Sequence, residues 1–551
     1  MAKYDNLILI GFSFTGKSHV GRESARRLGL AFVDTDEAIE ARSARTPQEL
    51  FAQDGEGRFR ELERAVLQEA CSQRATVIST GGGAVLDPSN RRLMAAAGLV
   101  VCLDARPETI HRRLQRHVAL NPRPVARPLL QGDDPLGRIR ALKASRQAFY
   151  DAADIKLETD DLEAEQTIAL VMEAWQAVQA SGRVPPTTAP ACRVTTSTAS
   201  YPIYVGWGEL ERLPQRLQEA GLAPGPVTVI SDDRVAPLYA SLVLSRLAQG
   251  GFTGQLVTVP AGEGSKTLES ASRLYDHLVS RRAGRDHLVL SLGGGMVGDL
   301  AGFVAATYMR GVSLVCLPTS LLAMVDSAIG GKTAVNHPQG KNLIGAFYQP
   351  RLVLADVQTL STLPRRELVE GWAETIKHAL IQDPALLLDL EEQADRLLAL
   401  DPELTPAIIR RSAAIKAAVV SQDEREAALR LILNYGHTVG HGLEAASGYG
   451  RYLHGEAVAV GMVAAGRIGV EAGVTPRELA SRQEALLARY GLPVWAEGVS
   501  APRVLEAMAL DKKALDQSLR WVLLQAAGVP VIRDDIALDT VTAILREILA
   551  P

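Results

Sequence analysis

Eight residues near the start of the chain, Gly11-Phe12-Ser13-Phe14-Thr15-Gly16-Lys17-Ser18, fit the pattern GxxxxGK[ST]. An apolar run, Leu7–Ile10, leads into them and a helical pattern follows. This context dictates a buried strand, a glycine loop and a helix N-terminus in direct succession. Backbone N–H groups of such a loop wrap phosphates, and the first turn of the helix adds its partial positive charge. Lys17 is expected to neutralise the distal phosphates, and Ser18 to ligate Mg²⁺. A strand that must feed a helix in this way belongs to a parallel sheet, so the motif narrows the fold class before any other residue is considered.

The rest of the chain extends that pattern twice. After Leu7–Ile10, apolar runs at Ala31–Val33, Val77–Ile78 and Leu99–Leu103 end in glycine or acidic turns, with helical stretches between them. Ala180–Tyr201 is rich in Pro, Ser and Thr and has no hydrophobic period, which reads as a linker. Strand-like runs then restart at Val227–Ile230, Leu256–Val259, Leu288–Leu292, Ser313–Leu317 and Leu352–Leu354. From Pro364 onward long Ala/Leu/Glu/Arg segments take over, as in a helical domain. A length of 551 residues accommodates three or four domains. The expected organisation is an α/β fold: a P-loop NTPase-type parallel-sheet domain over 1–178, a linker over 179–200, a Rossmann-like α/β domain over 201–363 and an all-helical metal-binding domain over 364–551.

Composition excludes several classes. A formal net charge of -4 leaves no electrostatic footprint for nucleic acid or an anionic membrane. No run reaches the length of a transmembrane helix. Cys71, Cys102, Cys192 and Cys316 are scattered without a C-x-x-C pair, which fits a cytoplasmic, reduced protein without a disulfide framework or thiolate metal site.

In the first half, Asp34-Thr35-Asp36 is predicted to close the second strand, which would point both carboxylates to one side. Arg60 taken alone reads as a solvated helix charge. Gly81-Gly82-Gly83 lets a ligand approach the backbone, Arg127 lies in a Pro/Arg-rich stretch and Arg146 follows on a helix. Together these residues resemble shikimate kinase over residues 5–175. That resemblance implies ATP at Gly11, Ser13, Thr15, Gly16, Lys17 and Ser18, with Arg127 closing over the phosphates. Ser18 and Asp34 would serve Mg²⁺, and Asp36 would act as base on the shikimate hydroxyl. Arg60 and Arg146 would clamp the carboxylate beside Gly82 and Gly83. The chain departs from the family pattern at Phe14 and His19. Another small-metabolite kinase, such as a gluconate kinase, is the alternative.

In the second half, Ser291-Leu292-Gly293-Gly294-Gly295-Met296-Val297-Gly298-Asp299 reads as a strand, a glycine turn and a helix opening toward a pyrophosphate. Polar residues then crowd among glycines from Pro318 to Asn342, as at a site for an oxygen-rich ligand. Three of the ten histidines, His437, His441 and His454, fall within 18 residues. Spacing alone makes His437 and His441 joint metal ligands on one helix face, with Glu374 and Lys377 sharing the face of another helix.

PTSLLAMVDSAIGGKTAVNHPQGKNLIGAFYQP and LNYGHTVGHGLE with LHGEAVAVGM resemble 3-dehydroquinate synthase, from Thr198 to the end of the chain. The resemblance replaces the spacing argument. It implies Zn²⁺ or Co²⁺ on Glu374, His437 and His454, with His441 facing substrate. It places NAD⁺ against Asp232, Glu263, Lys266, Gly294, Gly295, Asp299, Thr319, Ser320, Lys332, Lys341 and Thr362. Substrate-facing positions would be Asp326, Lys332, Asn342, Lys377, Lys416, Arg430, Asn434, Lys512 and Lys513, while Arg310 would reach a neighbouring subunit's phosphate in a homodimer. Lys332, Lys377, Arg430 and His441 are the catalytic candidates beside Lys17, Asp36 and Arg127. Arg234 stands where the family pattern has Asn. The implied chemistry is oxidation, phosphate elimination, reduction by the same NAD, ring opening and aldol closure of 3-deoxy-D-arabino-heptulosonate 7-phosphate. The alternative is another sugar-phosphate cyclase or a metal-dependent polyol dehydrogenase, although a dehydrogenase has no need of so many cations.

Overall fold

A computed structural model describes residues 4–120, 134–160, 162–181, 190–426, 428–448, 450–513 and 519–550. The chain divides into two compact units, Met1–Ala191 and Cys192–Pro551.

The first unit is built on five strands: β1 (Asn6–Ile10), β2 (Ala31–Asp34), β3 (Thr76–Ser79), β4 (Gly98–Asp104) and β5 (Ile155–Glu158). All pair in parallel in the order β2-β3-β1-β4-β5. Every residue of β1, β3 and β4 is buried, which explains why these strands read as unbroken apolar runs. A single side chain aligns the strand starts. Asn6 donates to the carbonyls of Gln73 (2.8 Å) and Ala97 (3.3 Å) and accepts the N–H of Thr76 at 3.1 Å. It thereby ties the entry of β1 to those of β3 and β4.

The second unit carries seven more strands in one sheet: β6 (Cys192–Thr195), β7 (Ser200–Gly206), β8 (Pro226–Asp232), β9 (Thr253–Val259), β10 (Leu288–Gly293), β11 (Ser313–Pro318) and, after a hairpin of β12 (Lys332–His337) and β13 (Gly340–Phe347), β14 (Leu352–Asp356). The order is β6-β7-β14-β11-β10-β8-β9, with β6 antiparallel to β7 and the other pairs parallel. The carboxyl ends of β8, β10 and β11 form the edge where the doubly wound topology places ligands. Helices dominate beyond β14, among them Arg365–Gln382, Leu404–Gln422, His437–Ala446, His454–Glu471 and Ala501–Lys513.

Two expectations need correction. The segment over 179–200 is not linker throughout, because the Ala164–Ser181 helix runs into it and β6 lies inside it. Strand β6 alternates buried Cys192 and Val194 with exposed Arg193 and Thr195. That period-two signal was masked by the surrounding Ser, Thr and Pro. The C-terminal part is likewise not all helical. Trp521–Ala526 and Val529–Arg533 form an antiparallel hairpin, with Trp521, Val522, Leu523 and Leu524 buried.

Candidate active sites

In the first unit the site sits at the carboxyl end of β1. Gly11 has φ 143°, and a Cβ there would lie 2.3 Å from the Leu103 carbonyl oxygen, so β4 leaves room only for glycine. Gly16, at φ 98°, caps the Lys17–Leu28 helix without a side-chain hydrogen bond. Lys17 is buried and folds back to donate to the carbonyls of Gly11 (2.8 Å) and Phe12 (2.9 Å). Thr15 Oγ1 donates to the Phe12 carbonyl at 2.9 Å. Ser18 is exposed in the first helical turn. Phe14 takes left-handed backbone, φ 66°, and sets its ring 5.6 Å from that of His117.

The acid pair is arranged differently from expectation. Strand β2 stops at Asp34, and Asp36 lies in the first turn of the Thr35–Ser43 helix. Asp34 Oδ1 accepts the N–H groups of Asp36 (3.0 Å) and Glu37 (3.3 Å). Asp34 is thus the N-cap of that helix, a role that favours Asp for the same reason a metal would, its short carboxylate acceptor. Helix initiation, which the strand reading overlooked, takes Asp36 out of alternation with it.

Asp36 still meets the other residues of its group. A Cβ on Gly81 would come within 2.7 Å of Asp36 Oδ1, and one on Gly83 within 2.8 Å of the Arg60 guanidinium. Arg60 is no solvated charge: Nη1 donates to buried Glu63 at 2.7 Å and Nη2 to Glu56 at 3.1 Å. Burial pushes the Glu63 carboxyl up, with Arg60 pulling against it. Arg146 lies buried with its guanidinium 5.7 Å from the centre of the Phe12 ring and donates to the Gly82 carbonyl at 3.3 Å. Two arginines, a carboxylate and a glycine strip therefore converge beside the phosphate loop. Arg127 lies outside the described residues.

In the second unit, the turn after β10 leads into the Gly295–Thr307 helix, whose N-cap, Gly294, carries no side-chain hydrogen bond. Cβ atoms on Gly294 and Gly295 would reach the hydroxyls of Ser320 (3.3 Å) and Ser327 (2.9 Å). This cradle fits a dinucleotide pyrophosphate. Around it, Lys266 Nζ donates to Asp299 at 2.6 Å and lies 3.5 Å from Glu263, whose Oε1 accepts from Asn336 Nδ2 at 2.8 Å. Asn342, at φ 58°, donates its N–H to Asn336 Oδ1 at 3.0 Å. Thr319 returns its N–H to the Gly293 carbonyl at 3.0 Å. Farther along the edge, Asp232 Oδ1 accepts the N–H groups of Arg234 and Val235, both at 2.9 Å, and Thr362 meets the Tyr239 hydroxyl at 2.5 Å.

Glu374, His437 and His454 come together on three helices, their nearest ligand atoms all within 4.8 Å of one another. Glu374 is fully buried; the Lys377 ammonium lies against Oε2, while Oε1 has no hydrogen-bond partner. His437 Nε2 and His454 Nε2 stand 3.6 and 3.7 Å from Glu374 Oε1. Their other nitrogens are held from behind: His437 Nδ1 by the Tyr435 carbonyl at 3.3 Å, His454 Nδ1 by Glu444 Oε2 at 3.2 Å. Two imidazoles oriented by outer partners and a buried carboxylate with one unpartnered oxygen fit a tetrahedral N,N,O ion site with one open position. His441 is exposed and falls in a different group, with Glu444 and His454, so the i, i+4 spacing of His437 and His441 does not place both on Glu374.

The lysines are not a bare positive patch. Lys332 pairs with Glu426, Lys341 with Glu444, Lys377 with Glu374 and Lys416 with Asp326, as Lys266 does with Asp299. Asp326 is presented by a π-helical turn, Ala323–Ser327, and its backbone carbonyl also accepts from Lys416 at 2.8 Å. Burial pulls the Lys416 ammonium down to about 8, with Asp326 opposing. Asn434 Nδ2 donates to Glu426 at 2.8 Å, and buried Arg430 donates to the Glu424 carbonyl at 2.6 Å beneath Gly330. Glu426 and Glu444 escaped the sequence reading. Glu444 follows His437 by seven positions and so lies on its helix face, which is a usable signal. Glu426 sits in a charged run, DEREAA, that reads as solvated. Exposed Arg310 lies in the left-handed stretch Met309-Arg310-Gly311. Lys512 and Lys513 close the Ala501–Lys513 helix, and their side chains lie outside the described residues.

Known proteins match both units. A shikimate kinase family model matches residues 14–176. Models of the 3-dehydroquinate synthase N-terminal and C-terminal parts match 256–370 and 371–514. The 3-dehydroquinate synthase of Desulforamulus reducens is 46% identical over 356 residues, 64% of this chain and 99% of that protein. That of Methylococcus capsulatus is 50% identical over 329 residues, 60% of this chain and 90% of that protein. Among solved structures, 2-epi-5-epi-valiolone synthase of Streptomyces hygroscopicus subsp. jinggangensis, with NAD⁺ and Zn²⁺ bound, is 27% identical with a TM-score of 0.59, covering 64% of this chain and 97% of that one. Among the described residues no helix is long and apolar enough to cross a membrane. The chain belongs to the 3-dehydroquinate synthase family and carries a shikimate kinase ahead of the synthase, which makes it a bifunctional enzyme of the shikimate pathway.

Proposed function

We propose that each reaction runs at one of the two sites, with a kinase up to residue 178 and, from β6 onward, a synthase whose NAD-binding part ends near 363 and whose metal part fills 364–551. In the kinase, Lys17 and the loop amides hold the ATP phosphates, with Ser18 and Asp34 toward Mg²⁺ and Arg127 closing over them. Arg60 and Arg146 fork the shikimate carboxylate between Gly82 and Gly83. Asp36 accepts the proton of the attacking hydroxyl as its oxygen bonds the γ-phosphorus and ADP departs.

In the synthase, Glu374, His437 and His454 hold the metal. NAD⁺ lies on the Gly294–Gly295 cradle, with Asp232, Glu263, Lys266, Asp299, Thr319, Ser320, Lys341 and Thr362 around it. When bound, a Zn²⁺ or Co²⁺ ion polarises the hydroxyl being oxidised and NAD⁺ takes and returns the hydride. Lys332, Lys377, Lys416, Arg430, Asn434 and Asn342 bind the carboxylate, hydroxyls and phosphate of the heptulosonate substrate. Lys512 and Lys513 complete the group, and His441 and Asp326 face the same ligand. Heptulosonate 7-phosphate is converted to 3-dehydroquinate with release of phosphate.

The observation that carries this reading is buried Glu374, whose Oε1 has no hydrogen-bond partner and faces two oriented imidazoles while Lys377 holds Oε2. The test is Glu374→Gln in the full chain. It should lose bound metal, measured by elemental analysis, together with phosphate release, while shikimate-dependent ADP formation continues. Retention of metal and phosphate release would overturn the assignment.

A homodimer through the synthase half is part of the same proposal. An exposed cation on left-handed backbone, Arg310, supports use by a neighbouring subunit. Light scattering should give twice the chain mass, and Arg310→Ala should weaken substrate binding without changing that mass. Four free, buried cysteines support a cytoplasmic location.

A further inference from the structure

The helix Pro135–Asp151 turns one side toward the kinase site and the other into the core. Tyr150, four residues after Arg146, is fully buried among Phe12, Ile78, Val100, Cys102 and Ile139. Its hydroxyl donates to the Gly82 carbonyl at 2.6 Å, the same oxygen that Arg146 Nη1 reaches at 3.3 Å. That carbonyl belongs to the glycine strip, and a Cβ on Gly82 would lie 3.1 Å from the Ser13 N–H nitrogen of the phosphate loop.

We propose that Tyr150 is a positioning residue for the kinase, and that its hydroxyl satisfies the Gly82 carbonyl so that Arg146 stays available to the substrate carboxylate. This rests on the assignment of Arg146 and Gly82 to shikimate. Gly82 is half-buried, and a carbonyl shielded by Tyr150 and Arg146 that loses one donor draws more closely on the one that remains. Without the phenol, the Arg146 guanidinium, which already reaches that oxygen at 3.3 Å, is left to serve it and is drawn further from substrate toward the backbone. The ring itself fills the core, so only the oxygen is at issue. The neighbouring residue on this helix side, Gln147, is held by Asp104 (3.0 Å) and Asp151 (2.9 Å), which keeps the helix from rotating to compensate.

Tyr150→Phe in the full chain removes the oxygen and keeps the ring. The KM for shikimate should rise about tenfold, with kcat and the KM for ATP little changed. The decisive readout uses shikimate with its carboxylate reduced to the alcohol. Tyr150→Phe and the parent chain should handle this poor substrate alike, because the lost interaction runs through the Arg146–carboxylate contact. Phosphate release by the synthase half reports on the integrity of the preparation, and the KM for ATP on that of the kinase half. An unchanged KM for shikimate, or an equal penalty on the alcohol, would overturn the role of the hydroxyl. Arg146→Lys separates this from the underlying assignment. If it raises the KM for shikimate while Tyr150→Phe does not, only the hydroxyl's role falls. If neither changes it, the assignment of Arg146 falls as well.

Discussion

The two proposed sites are equipped for anions in different ways. On the proposed assignment, the kinase's phosphate receptor is eight consecutive residues whose backbone N–H groups cannot titrate, and its carboxylate receptors are arginines, of which Arg60 is paired with Glu63 and Glu56. Lys17 waits on two carbonyls of its own loop. In the synthase, Lys266, Lys332, Lys341, Lys377 and Lys416 come from separate segments, and each is paired with a carboxylate. Pairing makes it possible to bury Lys266, Lys377 and Lys416, since an isolated buried ammonium would surrender its proton. A local motif can carry its own solvation. A site assembled from distant segments must bring counter-charges with it, and its substrate has to compete with them.

This contrast can be attacked at several points. Lys17→Ala should lower shikimate-dependent ADP formation by about a thousandfold and leave phosphate release from the heptulosonate phosphate unchanged. If both activities fell in a folded chain, the two halves would not be independent. Lys332→Ala should do the reverse, cutting phosphate release by about a hundredfold with the kinase intact. Its effect should be the smaller because Arg430 and other lysines share the substrate. Dialysis against a chelator followed by Mg²⁺ alone should restore only the kinase, and Zn²⁺ or Co²⁺ should then restore the synthase. A kinase that also needed the second metal would break the separation.

The smallest expected effect is in pH. Burial holds Lys416 down to about 8, with Asp326 pulling the other way. Below that pH the ammonium is charged and, on the proposed assignment, binds the anionic substrate; above it the charge is lost. The synthase KM should therefore rise about tenfold by pH 9, reading one titrating group at tenfold per pH unit. Arginines do not titrate in this range, so the shikimate KM should not follow. A parallel rise in both would point to a change in substrate or fold instead of Lys416.

Individual residues show how far the sequence carries. The phosphate loop was legible because strand, loop and helix are contiguous and each glycine answers a local steric demand. The runs that became β1, β3, β4, β8, β10, β11 and β14 were legible because buried parallel strands are apolar throughout. Strand β6 was hidden by Ser and Thr around a two-residue apolar alternation, and β12 and β13 by their own polar residues. Asp34 and Asp36 misled because a helix cap and a strand end call for the same residue type.

What the amino-acid sequence determined by itself is the set of contiguous features: two α/β units, the phosphate loop, the glycine turn after β10 and the crowding of histidines. What only the tertiary structure decided is which side chains meet. It set Glu374, 63 positions before His437, opposite that histidine and His454, and left His441 in another group. It gave each described lysine of the synthase site its acid, and it placed the Tyr150 hydroxyl on the carbonyl that Arg146 also reaches. The reason is physical. Backbone geometry and hydrophobic period act over a few residues, whereas ion pairing, metal ligation and the filling of buried hydrogen-bond acceptors depend on distances that exist only after the chain has folded.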